Sequence, residues 1–372
     1  MYFTEITLEN FRNYTKETVL FHPKVNIITG QNAQGKTNLI EALSLMSIGK
    51  SFRTGKDSEM IRFQEENCRV KATFIKNERE NKIEFVITKD GKAIKIDGCK
   101  AQRNSDLLEG AYIVVFSPED LKIVKDEPEK RRRFIDRELC QLRPVYYKAL
   151  GKYKKILQQR NALLRQESID EENLTVWDRA LAEYGSSIIR DRSSFIKTLD
   201  GISRELHEKI TSGKERLELQ YEPNFSMDEN EDLTAMRERF FHALVSDHRQ
   251  DKQKRATTTG PHKDDIKILV NDIDIRHFGS QGQQRTAALA MKLAEIRLIK
   301  EEKGEDPILL LDDVLSELDE ERRWFLLDSL SDVQLFLTTT ELDEPFLNRL
   351  AESRGYLVNS GRIEKMFDIK ME

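Results

Sequence analysis

The 372-residue sequence contains no uninterrupted apolar run of about 18 residues, so nothing in it reads as a membrane-spanning helix. Its first residues, MYFTEITLENFRNY, carry charges and lack an apolar stretch, which sets them apart from a signal peptide. Cysteine is scarce. The three present, Cys68, Cys99 and Cys140, are odd in number and far apart, with no CxxC spacing. That excludes a disulfide framework and a cysteine zinc site, and a reduced, cytoplasmic protein is expected. Net positive charge is also missing: 61 Lys and Arg stand against 66 Asp and Glu, a formal charge of −5. Bulk charge therefore gives no reason to bind nucleic acid, and any such binding must come from a local basic surface.

What is present suits a folded chain with a real core and a highly charged surface, 38% of residues being hydrophobic and 34% charged. Short strands are expected before KVNIITG. RVKATFI, KIEFVI and AIKI then alternate apolar with polar residues between turns, and AYIVVF (111–116) reads as a buried strand. From about 128 to 250 the pattern turns helical. Leu150, Leu157 and Leu164 recur every seven residues, as do Leu174, Leu181, Ile188, Phe195 and Ile202, with Trp177 and Tyr184 on the same face. This heptad seam is readable as a short antiparallel coiled coil turning at RQESIDEEN, or as an ordinary helical subdomain. Strands return at IKILV and IDIRHF around the turn Asn271-Asp272. A helix, the strand PILLLDD, a helix near Glu320–Leu330, the strand VQLFLTTT, and a last helix and hairpin follow. Strands alternating with helices at both ends predict an α/β head with mixed sheets, formed by 1–127 and 251–372, with a helical arm at 128–250 inserted into it.

GQNAQGKT (Gly30–Thr37) fits G-x-x-x-x-G-K-[ST], follows the apolar strand VNIIT and opens a helix. That is the context of a phosphate-binding loop. Gly30 and Gly35 permit backbone geometry and close approach that side chains block, so loop amides and the helix start can face phosphate oxygens. Lys36 is the candidate for bridging the β- and γ-phosphates of ATP, and Thr37 for offering a hydroxyl to Mg²⁺. Asn32 and Asn38 complete the candidate nucleotide contacts. The apolar strand ILLLDD ends in two carboxylates: Asp312 is the candidate Mg²⁺ partner and Asp313 the candidate for polarising the attacking water. A third polar stretch, FGSQGQQR (278–285), opens the helix TAALAMKLAEIRLIK. Ser280 is a hydroxyl at a helix start, and Gly282 allows an anion to come close. Two roles remain open for Ser280: a simple helix cap, and a nucleotide contact made with Gly282 and Gln283.

The order GKT, SQGQQ, LLLDD resembles that of ABC-type ATPases. LENFRNY (8–14), GQNAQGKTNLIEAL (30–43), GKSFRT (49–54), FSPEDL (116–121), RRRFID (131–136), TGPHKDD (259–265), FGSQGQQRTAALAMKLAE (278–295) and LLLDDVLSELD (309–319) together resemble the RecF family within the SMC-like branch, along the whole chain. The resemblance implies an ATPase head with a short arm, ATP-driven homodimerisation, weak ATP hydrolysis and binding of double-stranded DNA. It also implies work at gapped DNA and stalled forks with RecO and RecR, and help in loading RecA. It casts Ser280 as a contact to the γ-phosphate bound by the opposing subunit, SELD (316–319) as an interface loop, and Arg12 as a nucleotide contact. Three departures stand out: Asp313 where glutamate is common, Thr338–Thr340 where a switch histidine is usual, and no glutamine in the FSPED loop. Water should then be poorly positioned and turnover slow.

Three stretches are locally basic. Residues 49–63 hold four Lys and Arg against two acids, 122–137 seven against four, and 249–267 six against three. Lys50, Arg53, Lys56, Arg131 and Arg132 are the candidate DNA contacts, reading backbone rather than sequence, since no aromatic residues interleave with them. The competing reading is solvated faces and local pairing with acids. His262 beside Asp264 and Asp265 is expected to hydrogen-bond rather than hold a metal. The alternative function is an SMC-like ATPase clamp acting mainly on a protein partner. A transporter motor subunit fits less well without membrane segments, and a small-molecule kinase would need neither SQGQQ nor SELD.

Overall fold

The computed structural model describes residues 1–226, 228, 231–330, 333–340, 350 and 352–369. The apolar alternation of the amino-terminal third becomes strands. β1 (Tyr2–Phe11) and β2 (Tyr14–Leu20) form a hairpin, and β3 (Val25–Thr29) leads through the glycine loop into α1 (Lys36–Ile48). β4 (Asn67–Lys76), β5 (Arg79–Thr88), β6 (Gly91–Ile96) and β7 (Cys99–Lys100) meander, and β8 (Ile113–Phe116) follows. Next come α2 (Pro128–Leu142), α3 (Pro144–Leu163), α4 (Glu171–Ile210), β9 (Leu217–Glu222), α5 (Leu233–Ser246) and α6 (His248–Lys254). They are followed by β10 (Asp265–Val270), β11 (Ile273–Asp274), α7 (Ile275–Phe278) and α8 (Gln281–Lys303). The chain continues through β12 (Ile308–Leu311), α9 (Glu320–Asp328), β13 (Leu335–Thr339), β14 (Ser353–Asn359) and β15 (Arg362–Ile369). The last helix expected from the sequence, before the closing hairpin, lies outside the described residues.

The chain divides into two compact units, Met1–Leu121 with Lys292–Glu372, and Lys122–Met291. The first unit holds two six-stranded sheets. One is antiparallel, ordered β2-β1-β4-β5-β6-β7; the other is ordered β15-β14-β3-β13-β12-β8, parallel except for β15 at its edge. Helix α1 is buried nearly all round, Lys36 and every residue from Leu39 to Ser47 being covered, polar ones included. Its Leu39, Ile40, Leu43 and Met46 share one core with Phe3, Ile6, Leu8 and Phe85 of the antiparallel sheet and with Ile308, Leu310 and Phe336 of the parallel one. Both ends of the phosphate loop are thereby fixed, the strand by its neighbours and the helix by its core.

In the second unit α3 and α4 pack along each other, and α4 also packs on α5 and β9. Asp170 caps α4 by accepting from the amides of Glu172 and Asn173. At 40 residues the helix is about 60 Å long at the usual rise. Leu174, Leu181, Ile188, Phe195 and Ile202 are buried. The same helix buries Asp178 and Arg192, so its inner face mixes apolar residues with ion pairs.

Two features differ from expectation. Residues 251–291 pack with the helical unit rather than the head. The reason is strand pairing and charge: β10 is antiparallel to β9, and Asp264 and Asp265 meet Arg192 and Arg131. IDIRHF, expected to be a strand, pairs only over Ile273–Asp274 and then turns helical. The Asp274 carboxylate accepts from the Arg276 amide and caps that turn.

Candidate functional site

The phosphate loop begins where β3 ends between β13 and β14. Gly30 has φ 143°, and a Cβ there would lie 2.3 Å from the Val358 carbonyl oxygen, so backbone geometry alone demands glycine. Gly35 precedes α1 with φ 121°. No side chain caps α1, and its first turn holds no acidic residue. The orphan amides and the positive end of the helix are thus left to an anionic ligand. Lys36 is buried and donates from Nζ to the carbonyls of Gly30 (2.8 Å) and Gln31 (3.1 Å), folding its charge over the loop. Asn32 is exposed on the loop, and Thr37 and Asn38 are half-buried in the first turn.

The Thr37 hydroxyl donates to Asp312 Oδ1 at 2.9 Å, across 275 positions of sequence. Asp312 ends a fully buried strand, and burial raises its carboxyl above the ordinary range. The neighbouring Asp313 adds to that rise, while hydrogen bonds from Thr37 and Thr338 oppose it. Asp313 adopts the left-handed region, φ 52°, and its amide donates to Thr338 Oγ1 at 2.8 Å. Two hard oxygens, those of Thr37 and Asp312, therefore adjoin the phosphate loop. Among the described residues there is no cluster of three or more His, Cys, Asp or Glu that could hold a metal. That donor set suits Mg²⁺, which takes one or two protein oxygens and completes its shell with phosphate and water.

Arg12 faces Glu41 rather than open solvent. Its Nε and Nη2 donate to the two oxygens of Glu41 at 2.8 and 2.6 Å, and Nη1 donates to the Glu59 carbonyl. In this structure it therefore braces α1, and the nucleotide contact implied by resemblance would compete with that pairing. Asn13 and Tyr14 act alike: Asn13 donates to the Gln34 carbonyl and accepts from Asn38, and the Tyr14 hydroxyl donates to the Gly35 carbonyl. Sequence reasoning missed Glu41, Asn13 and Tyr14. The lone carboxylate inside the apolar helix NLIEALSLM was the available signal, because a buried charge requires a partner.

In the second unit, Ser280 is exposed at the start of α8. Its hydroxyl accepts from the Gln283 amide at 3.1 Å, and the Gln283 side chain accepts from the Ser280 amide at 2.9 Å. This is a reciprocal capping box. Gln283 also donates to Glu215 at 2.9 Å. Gly282, half-buried, lies in the first turn between them. In the head, Ser316 donates to the Asp313 carbonyl, and Asp319 caps α9. Asp120 of the FSPED loop accepts from the Ser117 amide and hydroxyl, closing a tight turn.

The basic candidates separate. Lys50 and Lys56 are exposed, and their side chains have no hydrogen-bond or ion-pair partner among the described residues. Arg53 is exposed but donates to Asn38 and Glu41. Arg131 needs correction. It is 1% exposed, holds Asp265 through two bonds and donates to three carbonyls, so its charge is spent inside the protein. Arg132 donates to the Asp264 carbonyl and is half-buried, which leaves it a poor phosphate contact. His262 hydrogen-bonds Tyr153 and the Thr257 carbonyl, as expected of a structural histidine.

The family model described as RecF/RecN/SMC N terminal domain matches residues 2–355. The chain is 45% identical over 337 residues to the DNA replication and repair protein RecF of Clostridioides difficile (strain 630), covering 91% of each. It is 43% identical to the RecF of Alkaliphilus oremlandii (strain OhILAs), covering 97% of this chain and 99% of that one. A solved structure of the recombination mediator protein RecF-ATPrS in the RecFOR pathway has a TM-score of 0.91 at 37% identity, covering 98% of each chain. An Smc head bound to the C-winged helix domain of ScpA is 18% identical with a TM-score of 0.55, covering all of this chain and 98% of that one, a likeness of fold. By sequence and by fold, the chain belongs to the RecF family, with the ATPase-head architecture shared by RecF and SMC proteins.

Proposed function

We infer that this protein is an ATP-dependent DNA-binding protein of recombinational repair. ATP brings two copies together around double-stranded DNA at gaps or stalled forks, and slow hydrolysis limits how long they stay. The observation that carries the reading is the Thr37–Asp312 hydrogen bond at the mouth of an uncapped α1. It joins a phosphate-binding loop to a carboxylate that fits Mg²⁺. Lys36 would exchange its two loop carbonyls for β- and γ-phosphate oxygens. Thr37 and Asp312 would hold Mg²⁺, which when bound neutralises phosphate charge. Asp313 would orient the attacking water. Ser280, Gly282 and Gln283, exposed or half-buried at a helix start, are offered to the nucleotide of the opposing copy. Lys50 and Lys56 would meet DNA phosphates. Similarity to a RecF structure described as a recombination mediator in the RecFOR pathway supports cooperation with RecO and RecR, and loading of RecA is the step that such cooperation would serve.

The test is fluorescence anisotropy of a gapped duplex with ATP, with ADP and with no nucleotide, at 50 and 200 mM salt. Binding should require ATP, weaken at least about tenfold between the two salts, and vanish in Lys36→Ala. Turnover should stay well below the about 10 s⁻¹ of a median enzyme. Binding indifferent to nucleotide would sink the DNA clamp and favour a clamp acting on a protein.

A further inference from the structure

The Asp312–Asp313 pair depends on a group from a neighbouring strand. Thr338 lies on β13, one residue beyond the point where Leu337 pairs with Leu311, and is buried. Its Oγ1 accepts the Asp313 amide at 2.8 Å and lies 3.1 Å from both Asp312 Oδ1 and Asp313 Oδ1. A hydroxyl has one proton to give, so it serves one carboxylate at a time. Asp312 Oδ1 has a second donor in Thr37. Asp313 has no other side-chain donor among the described residues. Asp313 also sits at φ 52°, a left-handed turn that aspartate adopts more readily than most residues and that the Thr338 contact to its amide closes from the neighbouring strand.

We propose that Thr338 is the positioning residue of the hydrolytic site. Its hydroxyl locks the left-handed turn at Asp313 and divides its proton between the two carboxylates. Asp312 is kept turned to Thr37 and Asp313 is fixed where water is activated. Thr338 thereby supplies from the strand end the order that a switch histidine would otherwise give. This rests on the ATPase reading above, so the first measurement does not depend on activity.

The experiment compares Thr338→Val, which keeps the shape without the hydroxyl, with Thr338→Ser, which keeps the hydroxyl. In nucleotide-free protein, single-amide hydrogen exchange at Asp313 should quicken at least about tenfold in Thr338→Val and stay near wild type in Thr338→Ser. Single-turnover hydrolysis should fall about 10²-fold in Thr338→Val, with the Kd for a fluorescent ATP analogue within about threefold of wild type, and Thr338→Ser should recover hydrolysis. Unchanged exchange in Thr338→Val, or Thr338→Ser failing as badly as Thr338→Val, overturns the proposal. If wild type binds ATP without hydrolysing it, the ATPase reading fails alone, and the exchange result still decides whether Thr338 holds Asp313. Should Thr338→Val melt well below wild type, Thr338→Ala and Thr338→Ser are compared at matched stability by the same exchange measurement.

Discussion

The Glu41 side chain has no exposed surface, so its charge must be met inside the protein. Arg12 meets it through two bonds, and Arg53 and Ser51 add to the shell. One buried carboxylate thus ties the NFRNY and GKSFRT segments to the phosphate-loop helix, and removal of Arg12 would leave it with Arg53 and Ser51 alone, at a cost of about 1–3 kcal/mol. His262 obeys the same logic with the opposite ionisation. Burial chiefly, then Lys263 and Arg132, push its pKa down from 6.5 to about 4, against the pull of the Thr257 carbonyl. If Nε2 donates to Thr257, Nδ1 is the acceptor for Tyr153, a role that only the neutral ring can fill. The folded value lies below the unfolded one, so the contribution to stability is complete above about pH 6.5 and is lost as pH falls through about 4. The stability gap between wild type and His262→Gln should narrow by about 3 kcal/mol from pH 7 to pH 4. Urea midpoints measured across that window check this, and a constant gap would refute it.

The pairing of α3 and α4 is decided by charge as well as by leucines. Arg160 on α3 is fully buried, 2.7 Å from Asp178 on α4 and 2.6 Å from Asp251 on α6, and it donates to Thr257 at 2.9 Å. His248 reaches the other oxygen of Asp178 at 2.6 Å. Leucines at seven-residue spacing tolerate sliding by a heptad, whereas an arginine fixed between two carboxylates accepts one register. Arg160→Met should destabilise the helical unit by about 3–5 kcal/mol, because Asp178 and Asp251 stay behind as buried charges. Thermal melting followed at 222 nm would show it, and a loss under about 1 kcal/mol would mean that water or rearrangement satisfies both carboxylates.

At the scale of the whole molecule, a chain of net charge −5 that binds DNA as proposed would have to attract it locally and repel it elsewhere. The interior use of Arg131 and Arg132 reduces the free cations, which would make contacts doubled by a second copy more important for the proposed affinity. On the proposed function, the Ser280 position would decide assembly. In light scattering the mass should double with ATP in wild type and remain monomeric in Ser280→Arg, which places a bulky cation at the start of α8, while nucleotide binding to each monomer persists. A Ser280→Arg protein that still doubles its mass would reduce Ser280 to a helix cap.

The sequence by itself determined the features whose causes are local. GQNAQGKT between an apolar strand and a helix, the alternating strands of 67–96, ILLLDD and the S-x-x-Q box at Ser280 depend on backbone freedom, periodicity and neighbours within a few residues. Local caps were underweighted at IDIRHF, where Asp274 turned a short strand into a helical turn. Tertiary structure alone decided which charges were spent inside. Arg131 read as a surface cation in sequence and nothing local marked Arg160 or Arg192 as buried, because their carboxylate partners lie 18 to 134 positions away and only packing brings them together. It likewise moved 251–291 into the helical unit by pairing β10 with β9, and set Thr338 beside Asp312 and Asp313 by laying two strands side by side. The physical reason is common to all three. A chain encodes its own periodicity at short range, while the partner of a buried polar group is chosen by the three-dimensional arrangement that excludes water from it.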